Sequence, residues 1–326
     1  MKILACLLLL CQTVWASIGE KNFSLVFVHI GKELPGYVET ALRQAHLFNP
    51  DAEIILIGNQ RALENKCFEL EWLHCIACET IQKSKEHQKF IRLSVLDRKL
   101  KGGLFYYATE RFFYLDDLMQ QYRLKNVFHL ENDVMLYANL EKLLPIFVKN
   151  YKGLALPFEN EAKGLASFVF IANQTNLHQF IQFLVAQARS KQNEMYLLGS
   201  FKNQNGQDLI EYLPNLMPDY LNDHLFKNVT NPARYCTHLD QFESIFDGAA
   251  YGQYLGGQDP FHRNCAPGFI NPECVYNASY MRFEWKTDLQ ERKVPYVIYN
   301  NKSFRLNNLH IHSKNLKAFF SDPDRL

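Results

Sequence analysis

The sequence predicts an α/β fold, a mostly parallel central sheet flanked by helices and followed by a loop-rich C-terminal half. Three observations point there. Short continuous apolar runs, FSLVFVHI at 23–30 and EIILIG at 53–58, are separated by a segment with helical apolar spacing, which makes a strand-helix-strand unit. Runs that are apolar throughout, with no alternation, belong to strands covered on both faces, as in parallel sheets. After residue 210 the prolines Pro214, Pro218, Pro232, Pro260, Pro267 and Pro272 interrupt any long element.

Taken in order, the first strand at 23–30 leads to a helix at 34–47 and a second strand at 53–58. Residues 75–81 offer a third strand. Gly102 and Gly103 precede a long helical pattern at 104–122, and the segment NVFHLENDVMLYANL at 126–140 is a strand that runs into two carboxylates. Residues 137–148 read as a helix, 165–172 as a strand and 176–189 as an amphipathic helix. The rest reads as loops over one edge of the sheet. In open α/β sheets ligands bind beyond the carboxyl ends of the strands, which is where Asp133 falls.

The chain has 326 residues, is 48% hydrophobic and carries a formal charge of +1, so it has ample core and no electrostatic case for nucleic acid. No charge run or internal repeat stands out. Lys2, the apolar run 3–11 and the small Ala16 read as a signal peptide over 1–16, which implies an exported protein with no stable membrane span once the signal is removed. The remaining 17–326 are expected to form one domain. Six cysteines follow the signal: Cys67, Cys75, Cys78, Cys236, Cys265 and Cys274. Export permits disulfides, and Cys265 with Cys274 brackets a loop that a disulfide would staple. The pair Cys75 and Cys78 has no second pair at zinc-site spacing. Sequons occur at Asn22, Asn173, Asn228, Asn277 and Asn301.

Glu131 and Asp133 are the leading site candidates. Two acids at the end of a buried strand are costly unless a cation compensates them, and carboxylates suit Mg²⁺ or Mn²⁺. A solvated strand end is the plain alternative. The segment NNLHIHSK at 307–314 reads as a strand with His310 and His312 on one face, either of which could join Asp133 as a metal ligand, with Lys314 placed for a phosphate. The stretch FDGAAYGQYLGGQDP at 246–260 holds Gly256 and Gly257 for close backbone approach, and Asp247 and Asp259 for sugar hydroxyls; an ordinary glycine-rich turn explains it equally well. Arg111 lies one helix upstream of the acidic strand. Asp208 and Glu211 fall one turn apart on an expected helix, where one of them could serve as a base or a substrate ligand; a solvated helix start is the plain alternative. No Gly-x-Ser-x-Gly elbow occurs, so a nucleophilic hydrolase has little support.

Together these motifs resemble the GT-A glycosyltransferases, nucleotide-diphospho-sugar transferases with a Rossmann-like sheet, and especially their glycogenin-like and lipopolysaccharide galactosyltransferase-like branch. The order Arg111-Phe112-Phe113, then Glu131-Asn132-Asp133, then Asn139-Leu140-Glu141 follows the branch's Arg helix, Asp-x-Asp strand end and short helix. Residues 166–173 stand where the branch has a substrate-contacting strand, Gln207-Asp208 resembles its Asp-containing sugar segment, and His310 or His312 with Lys314 resembles its terminal motif. Glu131 replaces the first Asp, and the Gly and Pro-Trp of the terminal motif are missing. The resemblance implies a metal-dependent hexosyltransferase using Mn²⁺ or Mg²⁺ and a nucleotide sugar, a UDP-sugar for preference, with a glycan, protein or lipid acceptor. It implies a nucleotide-sugar half to about residue 150 and an acceptor-side half over 151–326. It favours retention of anomeric configuration, whereas inversion would need a base such as Asp208 or Asp259. The competing expectation is an exported, non-catalytic sugar-binding or interaction protein on the same scaffold; a metal-dependent phosphoesterase would need more clustered ligands.

Overall fold

In the computed structural model, β1 (Ser24–His29) is an interior strand of a seven-stranded sheet, third from one edge, paired in parallel with β2 (Glu53–Gly58) on one side and β4 (Lys125–Leu130) on the other. The structure describes residues 18–64, 70–205, 208–226, 229–260 and 266–322. The signal segment, Cys67, Cys265, Gln207 and Asn228 lie outside these. All six residues of β2 are buried, as expected for a strand covered on both faces. Helix α1 (Gly36–Phe48) connects β1 to β2, and β3 (Leu73–Ala77) ends the sheet on that side.

Two helices lie between β3 and β4: α2 (Lys85–Leu93), capped by the Ser84 hydroxyl accepting from the His87 amide, and α3 (Leu104–Tyr122). After β4 come the short β5 (Val134–Leu136), α4 (Leu140–Asn150), β6 (Leu154–Leu156), the hairpin β7 (Phe158–Asn160) and β8 (Lys163–Gly164), and β9 (Phe168–Asn173). Then follow α5 (Gln174–Ala186), α6 (Glu194–Asn205) and β10 (Ile210–Tyr212). The sheet order is β10-β6-β9-β4-β1-β2-β3, with β9 the antiparallel member. The α/β class with a mostly parallel central sheet is therefore the observed one.

Two expectations need correction. Residues 208–211 are not a helix; they lead into β10, so Asp208 and Glu211 share no helical face. The C-terminal half is more ordered than its prolines suggested: β11 (Ser244–Ile245), β12 (Arg282–Thr287), β13 (Lys293–Tyr299) and β14 (Lys302–Leu306) form a second sheet of order β11-β14-β13-β12. Asn300 and Asn301, both at positive φ, turn β13 into β14, and Asn-rich two-residue turns of this kind are a hairpin signal. Cys75 is disulfide-bonded, whereas Cys274 is a free thiol, so the Cys265–Cys274 staple is not formed.

Candidate metal centre

The acidic strand end owes its geometry to a two-stranded ladder outside the main sheet. After β4, the Val134 amide donates to the Glu131 carbonyl and turns the chain into β5, which pairs antiparallel with β15 (Asn308–His310). Val134 stands opposite His310, and the Ile311 amide donates to the Asp133 carbonyl at 2.9 Å. Asp133 and His310 are thereby fixed face to face. His310 Nε2 lies 3.0 Å from Glu131 Oε2 and 3.2 Å from Asp133 Oδ1, and one ligand atom from each of the three residues falls within 4.8 Å of the others.

Cations surround these acids. Lys314 pairs with the other Asp133 oxygen and stands 3.9 Å from Asp259, while Arg111 pairs with Glu131 and reaches Glu194 at 3.5 Å. Burial alone would raise the Glu131 carboxyl; Arg111 and then His310 overcome it and hold the group well below the usual carboxylate range. Asp133 is likewise held low against its burial by His310 and Lys314. Burial would lower the His310 imidazole, yet the two carboxylates drive it well above 6.5. With a divalent ion in place of the proton on His310 Nε2, two carboxylates and a neutral imidazole form a donor set suited to Mn²⁺ or Mg²⁺, so the residues fit such an ion.

The expected strand at 307–314 stops at His310. Residues 311–314 form a turn in which Lys314, at φ 63°, donates its amide to the Ile311 carbonyl, and this turn folds the ammonium back onto Asp133. The strand geometry expected for His312 is therefore lost, although its ring still lies beside that of His310. The His312 ring is tilted 47° to that of His310, with centroids 4.0 Å apart, and its Nε2 lies 3.2 Å from His310 Nδ1, whereas the carboxylates meet His310 at Nε2. Burial first, and the charged His310 second, press the His312 imidazole down to about 3, so it is neutral.

The glycine-rich segment has a different role from the one expected. Its centre is a short helix, α7 (Ala250–Gly256), and Gly256 and Gly257 are buried at its C-terminal end, Gly256 against Ile311 and Phe319. Close backbone approach does occur, at Gly252, where a Cβ would strike the His310 carbonyl. Asp247 is fully buried and cannot meet a sugar: Oδ1 accepts from the Tyr251 amide at 3.1 Å, and Oδ2 from the amides of Gly252 at 2.9 Å and His310 at 3.0 Å. Burial raises its carboxyl to about 6 despite these donors. Asp247 is thus a clamp that positions His310.

Asp208 does not join the centre. Strands β10, β6 and β4 point the same way, and register through β9 sets Ile210 level with Leu154, Ile171 and Val127. Asp208, exposed before β10, therefore lies at the opposite end of the sheet from Glu131, roughly 20 Å away along the strand direction at about 3.3 Å per residue. That separation removes it as a base for this site.

Sequence reading missed Glu194 and Tyr37. Glu194, at the start of α6, is buried beside Arg111; among the described residues its Oε2 and the Arg111 Nε and Nη2 have no hydrogen-bond partner. Burial raises its carboxyl to about 7 although Arg111 opposes the shift. Unsatisfied buried donors and acceptors at the wall of a site call for a polar ligand. Tyr37 lies under Lys314, whose Nζ is 5.7 Å from the ring centroid. A single acid at the start of a helix carries no pattern that would have singled it out.

No family model matches the sequence, and no curated protein matches it in sequence. Solved structures that the chain resembles include the galactosyltransferase LgtC in complex with donor and acceptor sugar analogues, at 14% identity over 65% of this chain and 81% of that one, with a TM-score of 0.41. Mouse xyloside xylosyltransferase 1 resembles it at 11% identity over 63% and 90%, with a TM-score of 0.39. A cytidylyltransferase from Leptospira borgpetersenii resembles it at 10% identity over 61% and 79%, with a TM-score of 0.37. Likeness this distant, shared between sugar transferases and a nucleotidyltransferase, assigns no activity.

Proposed function

We propose that the protein is a metal-dependent glycosyltransferase that moves a sugar from a nucleotide sugar, a UDP-sugar with Mn²⁺ for preference, to a glycan, protein or lipid acceptor. The observation that carries this reading is the convergence of Glu131, Asp133 and His310 at the carboxyl end of β4, with Arg111 and Lys314 against the same carboxylates. A divalent ion held by Asp133, His310 and Glu131 would neutralise charge on the departing nucleoside diphosphate. Lys314, already folded to Asp133, binds the diphosphate as a point charge. Arg111 and Glu194 offer unsatisfied donors and acceptors to sugar hydroxyls. Asp259 keeps Lys314 at the mouth of the site. In this reading one domain spans 17–326, with the nucleotide-sugar half up to about 150, and the protein is exported by its N-terminal signal.

Calorimetric titration with UDP, in Mn²⁺ and then with the metal chelated, tests it. Metal-dependent binding is expected in the parent and absent in Asp133→Asn, with turnover in that variant down at least about a hundredfold. Absence of UDP binding under both conditions would instead favour the non-catalytic scaffold.

A further inference from the structure

Between residues 83 and 104 the chain reads KSKEHQKFIRLSVLDRKLKGGL, in which seven Lys and Arg stand against two acids, a charge of +5 where the whole chain carries +1. The structure gathers this charge on one surface. Lys85, Lys89 and Arg92 follow the spacing i, i+4, i+7 on the exposed face of α2, opposite the buried His87 and Phe90. Lys99 and Lys101 are exposed on the turn that leads into α3, where Lys101, Gly102 and Gly103 are successive left-handed residues. The Val95 amide donates to the Ala188 carbonyl at 3.2 Å, which brings the exposed Arg189 and Lys191 alongside. Arg98 is exposed but engaged, donating to the Ile91 carbonyl and the Tyr106 hydroxyl. Among the described residues none of Lys85, Lys89, Arg92, Lys99 and Lys101 is in an ion pair.

Within the same stretch three aliphatic side chains face solvent: Val95 at 50%, Leu100 at 53% and Leu104 at 45% exposure. Exposed aliphatics set among unpaired lysines suit the headgroup boundary of a bilayer, where the cations meet anionic lipid and the apolar groups enter the acyl region. Nucleic acid would use the charge and leave the leucines in water. Orientation adds a second argument. Leu104 begins α3, and Arg111, two turns further along it, pairs with Glu131, so the patch borders the end of the sheet that carries the metal candidate.

We infer that this surface docks the protein on anionic lipid. Its corollary, that the acceptor is presented at the bilayer surface, rests on the transferase reading; the docking itself does not. The test is flotation of the full chain with vesicles of phosphatidylcholine mixed with phosphatidylserine, and of phosphatidylcholine alone, without donor or metal. Binding is expected to the mixed vesicles only and to be lost in high salt. Each removed charge should weaken it about fivefold, so Lys89→Gln, Lys99→Gln and Lys101→Gln combined should cost about a hundredfold. Leu100→Ser with Leu104→Ser should cost about tenfold or more. Lys142→Gln with Lys149→Gln, exposed on α4, should change nothing. No binding to mixed vesicles, equal loss in the α4 control, or binding indifferent to the leucine changes would each overturn the inference, the last in favour of a polyanion such as nucleic acid. Failure here leaves UDP binding untouched, and failure of UDP binding leaves vesicle binding untouched.

Discussion

Gly252→Ala adds one methyl group far in sequence from any candidate ligand, yet it should disable the metal centre. The new Cβ would lie 2.6 Å from the His310 carbonyl carbon and closer still to its oxygen. Carbon pairs settle at about 3.5–4.0 Å, so α7 and β15 must part by about 1 Å. His310 Nε2 now sits 3.0 Å from Glu131 and 3.2 Å from Asp133. A 1 Å displacement takes those contacts to about 4 Å, beyond hydrogen bonding. The Asp247 oxygen that accepts from both the Gly252 and His310 amides must release one of them. Overpacking costs about 1–3 kcal/mol, and a lost hydrogen bond to a charged group about 1.5–3 kcal/mol, so the total should be roughly 3–5 kcal/mol. Urea unfolding would report that loss, and calorimetric titration with Mn²⁺ should show affinity reduced at least about tenfold. Gly36→Ala, whose Cβ meets nothing within 4 Å, is the control and should be neutral. A Gly252→Ala protein with parental stability and parental metal affinity would refute the claim that this helix positions His310.

Two further predictions concern groups away from the centre. Glu211 has its carboxyl raised from 4.5 to about 7, by burial first and by Asp208 as well, so the folded state binds the extra proton and stability falls as pH rises between those values. Glu211→Gln should therefore gain about 1 kcal/mol at pH 8, after allowance for partial exposure, and nothing at pH 4; thermal melts across pH check this. His87 is fully buried, 2.6 Å from Asp117 and 3.4 Å from Glu110; burial would lower its imidazole, but the two acids raise it above 6.5. The stability this provides is complete below pH 6.5 and fades as pH rises through the folded value. His87→Phe should cost about 3–5 kcal/mol at pH 6 by stranding two buried carboxylates, with a smaller gap at pH 9 in urea titrations; an equal gap at both would contradict the assignment.

Local pattern was enough for the middle of the sheet, though not for β6 and β10 at one edge. The apolar runs of β1 and β2 and the helical spacing at Leu104–Tyr122 are properties of consecutive residues, and burial on both faces leaves a continuous apolar signature. The Asn300-Asn301 turn is also a local signal, set in a half whose prolines suggest loops. The basic run at 83–104 is local too, but a charge near zero for the whole chain hides its asymmetry. Glu131, Asp133, His310, Lys314, Arg111 and Asp259 were each singled out from residue type, and the fold brings them together.

What pattern could not supply was contact between distant segments. Asp247 and Asp259 share one glycine-rich stretch, yet three backbone amides consume Asp247 while Asp259 faces Lys314. Asp208 read as a site acid until strand direction placed it at the wrong end of the sheet. His312 lost its strand position to a turn. By itself the sequence determined β1, β2, β4 and β9, the long helix at Leu104–Tyr122 and which residue types could do chemistry, because burial and backbone preference act over a few neighbouring residues. Which acids and imidazoles converge was decided by tertiary structure alone, since the ladder between β5 and β15 and the close approach of Gly252 to His310 depend on backbone surfaces that meet only after folding.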